Sequence, residues 1–216
     1  MMFKSSFRLL AYLAMVIGFS VANAGAYEDF FKAVAADDGS TVLSLMVRGF
    51  DPNSRDEKGQ TGLFLAMRGG SFKVAENLLQ HPQTRLDLAN ASAETALMMA
   101  ALKGHHDWVK RLLDRGARSD SGDAPAWTAL HYAATGPSLQ AVQWLLARGA
   151  KVDARSPNGS TALMMAARYG PEASVTLLLQ QGADAKLQNE AGLTAADFAK
   201  LAGREAVSNR LLQAAR

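Results

Sequence analysis

Cysteine is absent from all 216 residues, which excludes disulfides, thiolate metal sites, a cysteine nucleophile and lipid attachment through an N-terminal Cys. An excess of charge of one sign is nearly absent too. Lys and Arg number 23 against 20 Asp and Glu, and the longest basic run is the pair Lys110-Arg111. A phosphate-tracking stripe is therefore missing, and nucleic acid is not expected as a partner. The sequence also holds no G-x-S-x-G elbow, no Walker-type Gly-Lys-Ser/Thr, no G-x-G-x-x-G and no HExxH pairing. Hydrolase, nucleotide-binding and zinc-enzyme chemistry thus lack their usual residues, and neither cofactor nor metal is expected.

Long apolar runs are scarce as well, with one exception at the start. Lys4 and Arg8 precede Leu9 to Val21, which carries no charge, and Ala22-Asn23-Ala24 then places small side chains where a signal peptidase reads. This order predicts a signal peptide over residues 1–24, with cleavage after Ala24 or, as second choice, Ala26. A spanning helix needs about 20 apolar residues, so an uncleaved membrane anchor is the weaker reading. Cleavage leaves 21 Lys and Arg against 20 Asp and Glu over 192 residues. An exported chain without disulfides must rely on its own core, and their absence favours a bacterial periplasm. Asn90-Ala91-Ser92 and Asn158-Gly159-Ser160 spell glycan acceptors, yet in a bacterium they are turn residues.

The rest of the chain is a repeat. Thr61, Thr95, Thr128, Thr161 and Thr194 follow one another at intervals of 34, 33, 33 and 33 residues. Seventeen residues after each stands a Leu pair, from Leu78-Leu79 to Leu211-Leu212, and Gly-Ala recurs at Gly116-Ala117, Gly149-Ala150 and Gly182-Ala183. Carried back once more, the frame puts Glu28 at the Thr place, Val42, Leu45 and Met46 on an apolar face and Gly49-Phe50 at the turn. Val109, Leu112 and Leu113 are spaced i, i+3, i+4, so each second helix presents one apolar stripe that only a neighbouring repeat can cover. Thr is expected to cap each first helix, and Gly to end each second one in a left-handed turn. The Leu pairs form the expected buried spine. Ser208 replaces the usual Val of the last repeat, among Arg204, Glu205, Asn209 and Arg210, so a polar outer face is expected there.

The period and the segments TALMMAALKGH, TALHYAATG and TALMMAARYG resemble the ankyrin family, from Tyr27 to Arg216. The resemblance implies an all-α solenoid of helix-turn-helix repeats with short turn tips, over about 26–58, 59–92, 93–125, 126–158 and 159–191, with a C-terminal cap at 192–216. Departures are plain. The Pro that usually follows Thr is replaced by Gly62, Ala96, Ala129, Ala162 and Ala195, and His131 alone fills the family's His position. His81-Pro82 replaces Gly-Ala, so the loop between the second and third repeats is irregular.

The chemistry-bearing residues read as structural. His131 matches an inter-repeat hydrogen-bonding group, His105-His106 opens a second helix and His81 lies in a loop. Asp37-Asp38, Asp153 and Asp184 fall between helices, where short acceptors satisfy backbone N–H groups. Met98-Met99 and Met164-Met165 are expected as core filling, with an adaptable surface or an oxidant sink as alternatives. The resemblance then implies a non-enzymatic monomer that grips another protein with its turn tips and the inner ends of its first helices. The candidate contact residues are Trp127, Arg168, Tyr169, Arg68, Arg155, Leu102 and Lys103. An accessory factor for one periplasmic enzyme, for example one of oxidant defence, is the alternative, and a membrane-anchored adaptor follows if cleavage fails.

Overall fold

The computed structural model describes residues 21–120 and 126–216. The expected leader lies almost wholly outside the described residues. Among those residues the chain forms twelve helices and no strand, with one antiparallel bridge between Arg55 and Thr61. It divides into two compact units, Met1–Thr84 and Arg85–Arg216. The boundary falls in the irregular loop after His81-Pro82.

The first unit contains α1 (Val21–Ala35), α2 (Gly39–Val47), α3 (Gly62–Gly69) and α4 (Phe72–Gln80). α1 runs straight through Glu28, which stands where other repeats carry a capping Thr, and it is therefore 15 residues long. Val42, Leu45 and Met46 are buried and Gly49 turns with φ +90°, as the repeat frame requires. Phe30, fully buried, lies against Phe50 with ring centroids 4.7 Å apart. A Cβ on Gly62 would come within 2.7 Å of the Phe30 ring, so that ring dictates glycine where the other repeats place alanine.

The second unit contains α5 (Ala96–Leu102), α6 (His106–Asp114), α7 (Ala129–Thr135), α8 (Leu139–Ala147), α9 (Ala162–Tyr169), α10 (Glu172–Gln180), α11 (Ala195–Leu201) and α12 (Glu205–Ala214). The first helices α5, α7, α9 and α11 pack side by side as one layer, and α6, α8 and α10 form the other. Alanine makes the first layer tight, since Ala100, Ala101, Ala133, Ala134, Ala166 and Ala167 are all fully buried. Two glycines bring backbone to backbone. A Cβ on Gly136 would meet the carbonyl oxygens of Ala101 at 2.6 Å and Leu102 at 2.8 Å, and one on Gly170 would run into the carbonyl of Ala134. Both have ordinary negative φ, so contact and not backbone freedom demands glycine there.

The cap threonines act as expected. The hydroxyls of Thr61, Thr95, Thr161 and Thr194 accept the N–H of the residue three places on. Met98 and Met164 add a function beyond core filling. Each is buried, and each sulfur accepts the N–H of its own cap threonine, at 3.5 and 3.4 Å. Asp197 closes the same reciprocal box with oxygen and His131 with Nδ1.

Two expectations need correction at the C-terminal end. The Leu pairs are not uniformly buried. The first Leu is fully covered in every repeat, whereas the second passes from buried at Leu113 through half-buried at Leu146 and Leu179 to 53% exposed at Leu212. Contacts between second helices thin out along α6, α8 and α10, so the outer layer covers less at each step. Ser208 is buried and not part of a polar outer face, its hydroxyl donating to the Ala196 carbonyl at 2.9 Å. Arg204 likewise turns inward and donates to the carbonyls of Ala166 and Ala167, the exposed end of α9.

Candidate protein-binding face

Four of the turn tips are built on a short acceptor five residues before the cap threonine. Asp56 accepts the N–H groups of Lys58 and Gln60, Asn90 those of Ser92 and Glu94, and Asn189 those of Ala191 and Leu193. Ser156 does the same for Ser160. These side-chain turns hold the residue just before each threonine at a fixed place. That residue is Gln60, Glu94, Ser160 or Leu193 at these four tips, and Trp127 holds the same place in the repeat frame before Thr128.

Contacts between repeats show which positions share a side in the second unit. Tyr132, the fourth residue after its threonine, reaches back across the stack and donates to Glu94 at 2.9 Å. Phe198, the fourth residue after its own threonine, lies under the Arg168 guanidinium, 5.9 Å from the ring centroid. Because Tyr132 and Phe198 hold equivalent places, the tip position of Glu94 and the helix-end position of Arg168 lie on one side. Trp127 occupies the tip position and Tyr169 follows Arg168, so both belong there.

The predicted contact residues differ in how free they are. Tyr169 is 55% exposed, with the Arg168 guanidinium 5.1 Å from its ring centroid. Arg168 is half-buried, and among the described residues no carboxylate pairs with it. Trp127 is half-buried and meets the His131 ring edge to face at 5.3 Å. Leu102 is half-buried and Lys103 exposed at the end of α5. Arg155 already holds two tips together, donating to the carbonyls of Gly159 and Gln188 at 2.9 and 2.8 Å. Arg68, in the first unit, is exposed and donates to Gln60 at 3.0 Å.

The ionisable groups follow from their surroundings. His131 is buried, with Nδ1 on Thr128 and Nε2 3.0 Å from the Ser160 carbonyl of the next repeat. The Thr128 N–H needs an acceptor and the carbonyl a donor, so the neutral Nε2–H tautomer fits. Burial pushes its pKa down. Tyr132 is shifted upward, first by burial and then by the hydrogen bond and charge of Glu94. Asp153 is raised by burial and bonds the Asp184 N–H. Asp37 caps α4 through Lys73 and Val74, and Asp38 caps α2 through Thr41. Asp38 drops to about 2 because Ser40 and Thr41 donate to it. The far side of the stack is ionic, with Lys110 and Arg148 both on Asp114. Among the described residues no group of three His, Asp or Glu side chains could hold a metal, and no described helix is long and apolar enough to cross a membrane.

Glu94 is a tip position of the expected face, but its bond to Tyr132 was not foreseen from sequence. They stand 38 residues apart, and the repeat frame gives their places without showing that a tyrosine spans the gap between repeats.

Known proteins bear on this geometry in three ways. A model described as ankyrin repeats in three copies matches residues 30–123, 82–156 and 118–189. Ankyrin repeat and SAM domain-containing protein 6 of Mus musculus is 33% identical over 69 residues, which is 32% of this chain and 8% of that protein. E3 ubiquitin-protein ligase KEG of Arabidopsis thaliana is 30% identical over 86 residues, 40% of this chain and 5% of that protein. The chain thus spans less than a tenth of either relative. Among solved structures, a chain of the Bd0816 predatory endopeptidase from Bdellovibrio bacteriovorus in complex with immunity protein Bd3460 superposes with a TM-score of 0.73. It is 32% identical, over 86% of this chain and 97% of that one. With capped helix pairs at a 33-residue interval and a family model matched over most of its length, the chain belongs to the ankyrin-repeat family.

Proposed function

We propose that this chain is an exported, non-enzymatic binding protein whose single partner is an enzyme of the peptidase class. The observation that carries the reading is the exposed Tyr169 beside an Arg168 without a carboxylate, on the same side as Trp127. Large aromatics and arginine are the residue types that dominate binding energy at protein interfaces. The solved complex pairs an endopeptidase with an immunity protein. We take this chain for the immunity part of such a pair, which makes its partner a peptidase. The leader read at residues 1–24 supports a periplasmic place for both.

Affinity capture from periplasmic extract identifies the partner, and titration of purified variants against it tests the face. Trp127→Ala or Arg168→Ala should weaken binding by roughly 1 kcal/mol or more, about fivefold in Kd, with the melting temperature little changed. Lys110→Ala, on the opposite side, should leave Kd unaltered. Equal binding by all three variants, or the largest loss from Lys110→Ala, rejects this face. N-terminal sequencing of the exported protein should begin at Gly25, and a full-length chain held in the membrane would instead make it an anchored adaptor. Assay of the bound enzyme separates immunity from maturation: the first lowers its activity, the second preserves or raises it.

A further inference from the structure

We propose that Glu94, whose carboxylate accepts the phenol of Tyr132 from the next repeat, is the receptor for one cationic side chain, an arginine or a lysine, of the partner. This rests on the protein-binding reading above and names the chemistry of one of its contacts.

Most carboxylates here are engaged in ways that need no further ligand. Asp37, Asp56, Asp153 and Asp197 hold backbone N–H groups, and Asp114 holds two cations. Glu94 is different. It is half-buried, it takes hydrogen bonds from the Asn90 amide and the Tyr132 hydroxyl, both at 2.9 Å, and among the described residues no cation pairs with it. Both donors are neutral. They fix the direction of the carboxylate without balancing its charge, and of its roughly four lone-pair positions two remain for a ligand. A half-buried anion without a counter-charge is costly, and a cation arriving on a partner removes that cost.

The surroundings favour an organic cation over a metal ion. Among the described residues no group of three His, Asp or Glu side chains could hold a metal ion. Tyr132 lies to one side, and Trp127 holds the equivalent tip position one repeat on, with its ring braced against His131. Aromatic faces attract guanidinium and ammonium groups, and the pair of oxygens suits the paired N–H donors of arginine. The Tyr132 phenol, protonated at neutral pH, donates to Glu94, and burial and the Glu94 charge shift it further upward. The Asn90 turn completes the arrangement, since it also holds the Glu94 N–H.

The test uses N-acetyl-arginine amide as the probe and N-acetyl-citrulline amide as its neutral isostere, so it needs no knowledge of the partner. With isotope-labelled protein, the Trp127 indole N–H and the Glu94 carboxyl resonance should move saturably with the arginine probe. They should not move with citrulline. Glu94→Gln, which keeps an acceptor and loses the charge, should weaken the probe at least tenfold, and added salt should weaken it in the wild type. Tyr132→Phe keeps the charge and should retain binding within about threefold. The melting temperature of each variant identifies any loss of fold, in which case the citrulline and salt comparisons on the wild type still decide. Equal shifts with arginine and citrulline, or unchanged binding by a folded Glu94→Gln, would overturn the proposal. Failure here leaves the capture experiment untouched, because the partner can use Trp127 and Arg168 without a cation at Glu94.

Discussion

The two units achieve the same helix-pair fold by different means. In Met1–Thr84 the third residue after the cap threonine is Phe64, buried and without a polar atom, and the core is filled with aromatic bulk from Phe30, Phe50 and Phe64. In Arg85–Arg216 the same position carries Met98, His131, Met164 or Asp197, and each closes a hydrogen-bonded box onto its own threonine. Aromatic filling tolerates an irregular neighbour such as the long α1. The second unit keeps an interval of 33 residues between threonines, while the interval that crosses into it, through the irregular loop after His81-Pro82, is 34.

The largest effects should separate the units. Phe30→Ala removes the ring that fills the first core and should cost about 3–5 kcal/mol. Gly170→Ala drives a methyl group into the Ala134 carbonyl and should cost about 3 kcal/mol or more. All three tryptophans, Trp108, Trp127 and Trp144, lie in the second unit, so tryptophan fluorescence reports that unit alone while far-UV circular dichroism reports both. Phe30→Ala should advance the dichroism transition and leave the fluorescence midpoint in place. Gly170→Ala should move the fluorescence midpoint. If Phe30→Ala shifts the fluorescence midpoint as well, the chain unfolds as one cooperative body and the contrast between units has no thermodynamic meaning.

Much of this architecture could be read from residue order, because it depends on local spacing. Threonine caps, the buried first Leu of each pair and the glycine turns all follow from a period that a single sequence displays. What escaped depends on reach between repeats. Ser208 reads as surface by type, and its hydrogen bond to the Ala196 carbonyl accounts for its burial. Leu212 reads as spine, and its exposure follows from the thinning of the outer layer. The Glu94–Tyr132 bond escaped for the same reason, as did the sulfur acceptors, since methionine in a helix ordinarily signals packing. The expected leader falls almost wholly outside the described residues, and the expected contact face is carried forward as a proposal.

A second, intermediate effect concerns the one box made with a titratable ring. His131 is held below its ordinary value of 6.5 by burial, so the unfolded chain takes up a proton more readily than the folded one. Its contribution to stability is complete above about pH 6.5 and is lost as pH falls from there toward the depressed folded value. Protonation also adds a proton to Nδ1, which would then face the Thr128 N–H it now accepts. His131→Met, copying Met98 and Met164, should cost about 0.5–1.5 kcal/mol at pH 7.5 through loss of the bond to Ser160. It should also flatten the decline between pH 7 and about 5 relative to the wild type. Denaturant midpoints by tryptophan fluorescence at several pH values test this, and parallel pH curves for the two proteins would remove His131 as their source.

The smallest effect lies at the tip that opens the second unit. The position two residues before the cap threonine is left-handed at Gly59, Gly159 and Gly192, with φ +72°, +74° and +75°, and Ala93 holds the same place with φ +61°. An L-residue in that region costs about 1–2 kcal/mol, while glycine gives back about 0.5–1 kcal/mol through the greater freedom of the unfolded chain. Ala93→Gly should therefore stabilise the second unit by about 0.5–1 kcal/mol. The reverse change, Gly192→Ala, should cost a similar amount, because a Cβ there meets nothing within 4 Å and only backbone strain is added. Both should appear in the fluorescence midpoint. Ala93 is exposed and its N–H bonds the Asn90 carbonyl at 3.0 Å, so the substitution leaves the Asn90 turn and the direction of Glu94 intact. A gain in stability without loss of the arginine probe would show that strain at this tip is no part of its binding chemistry. Loss of the probe with Ala93→Gly would show instead that the left-handed alanine helps hold Glu94 in place.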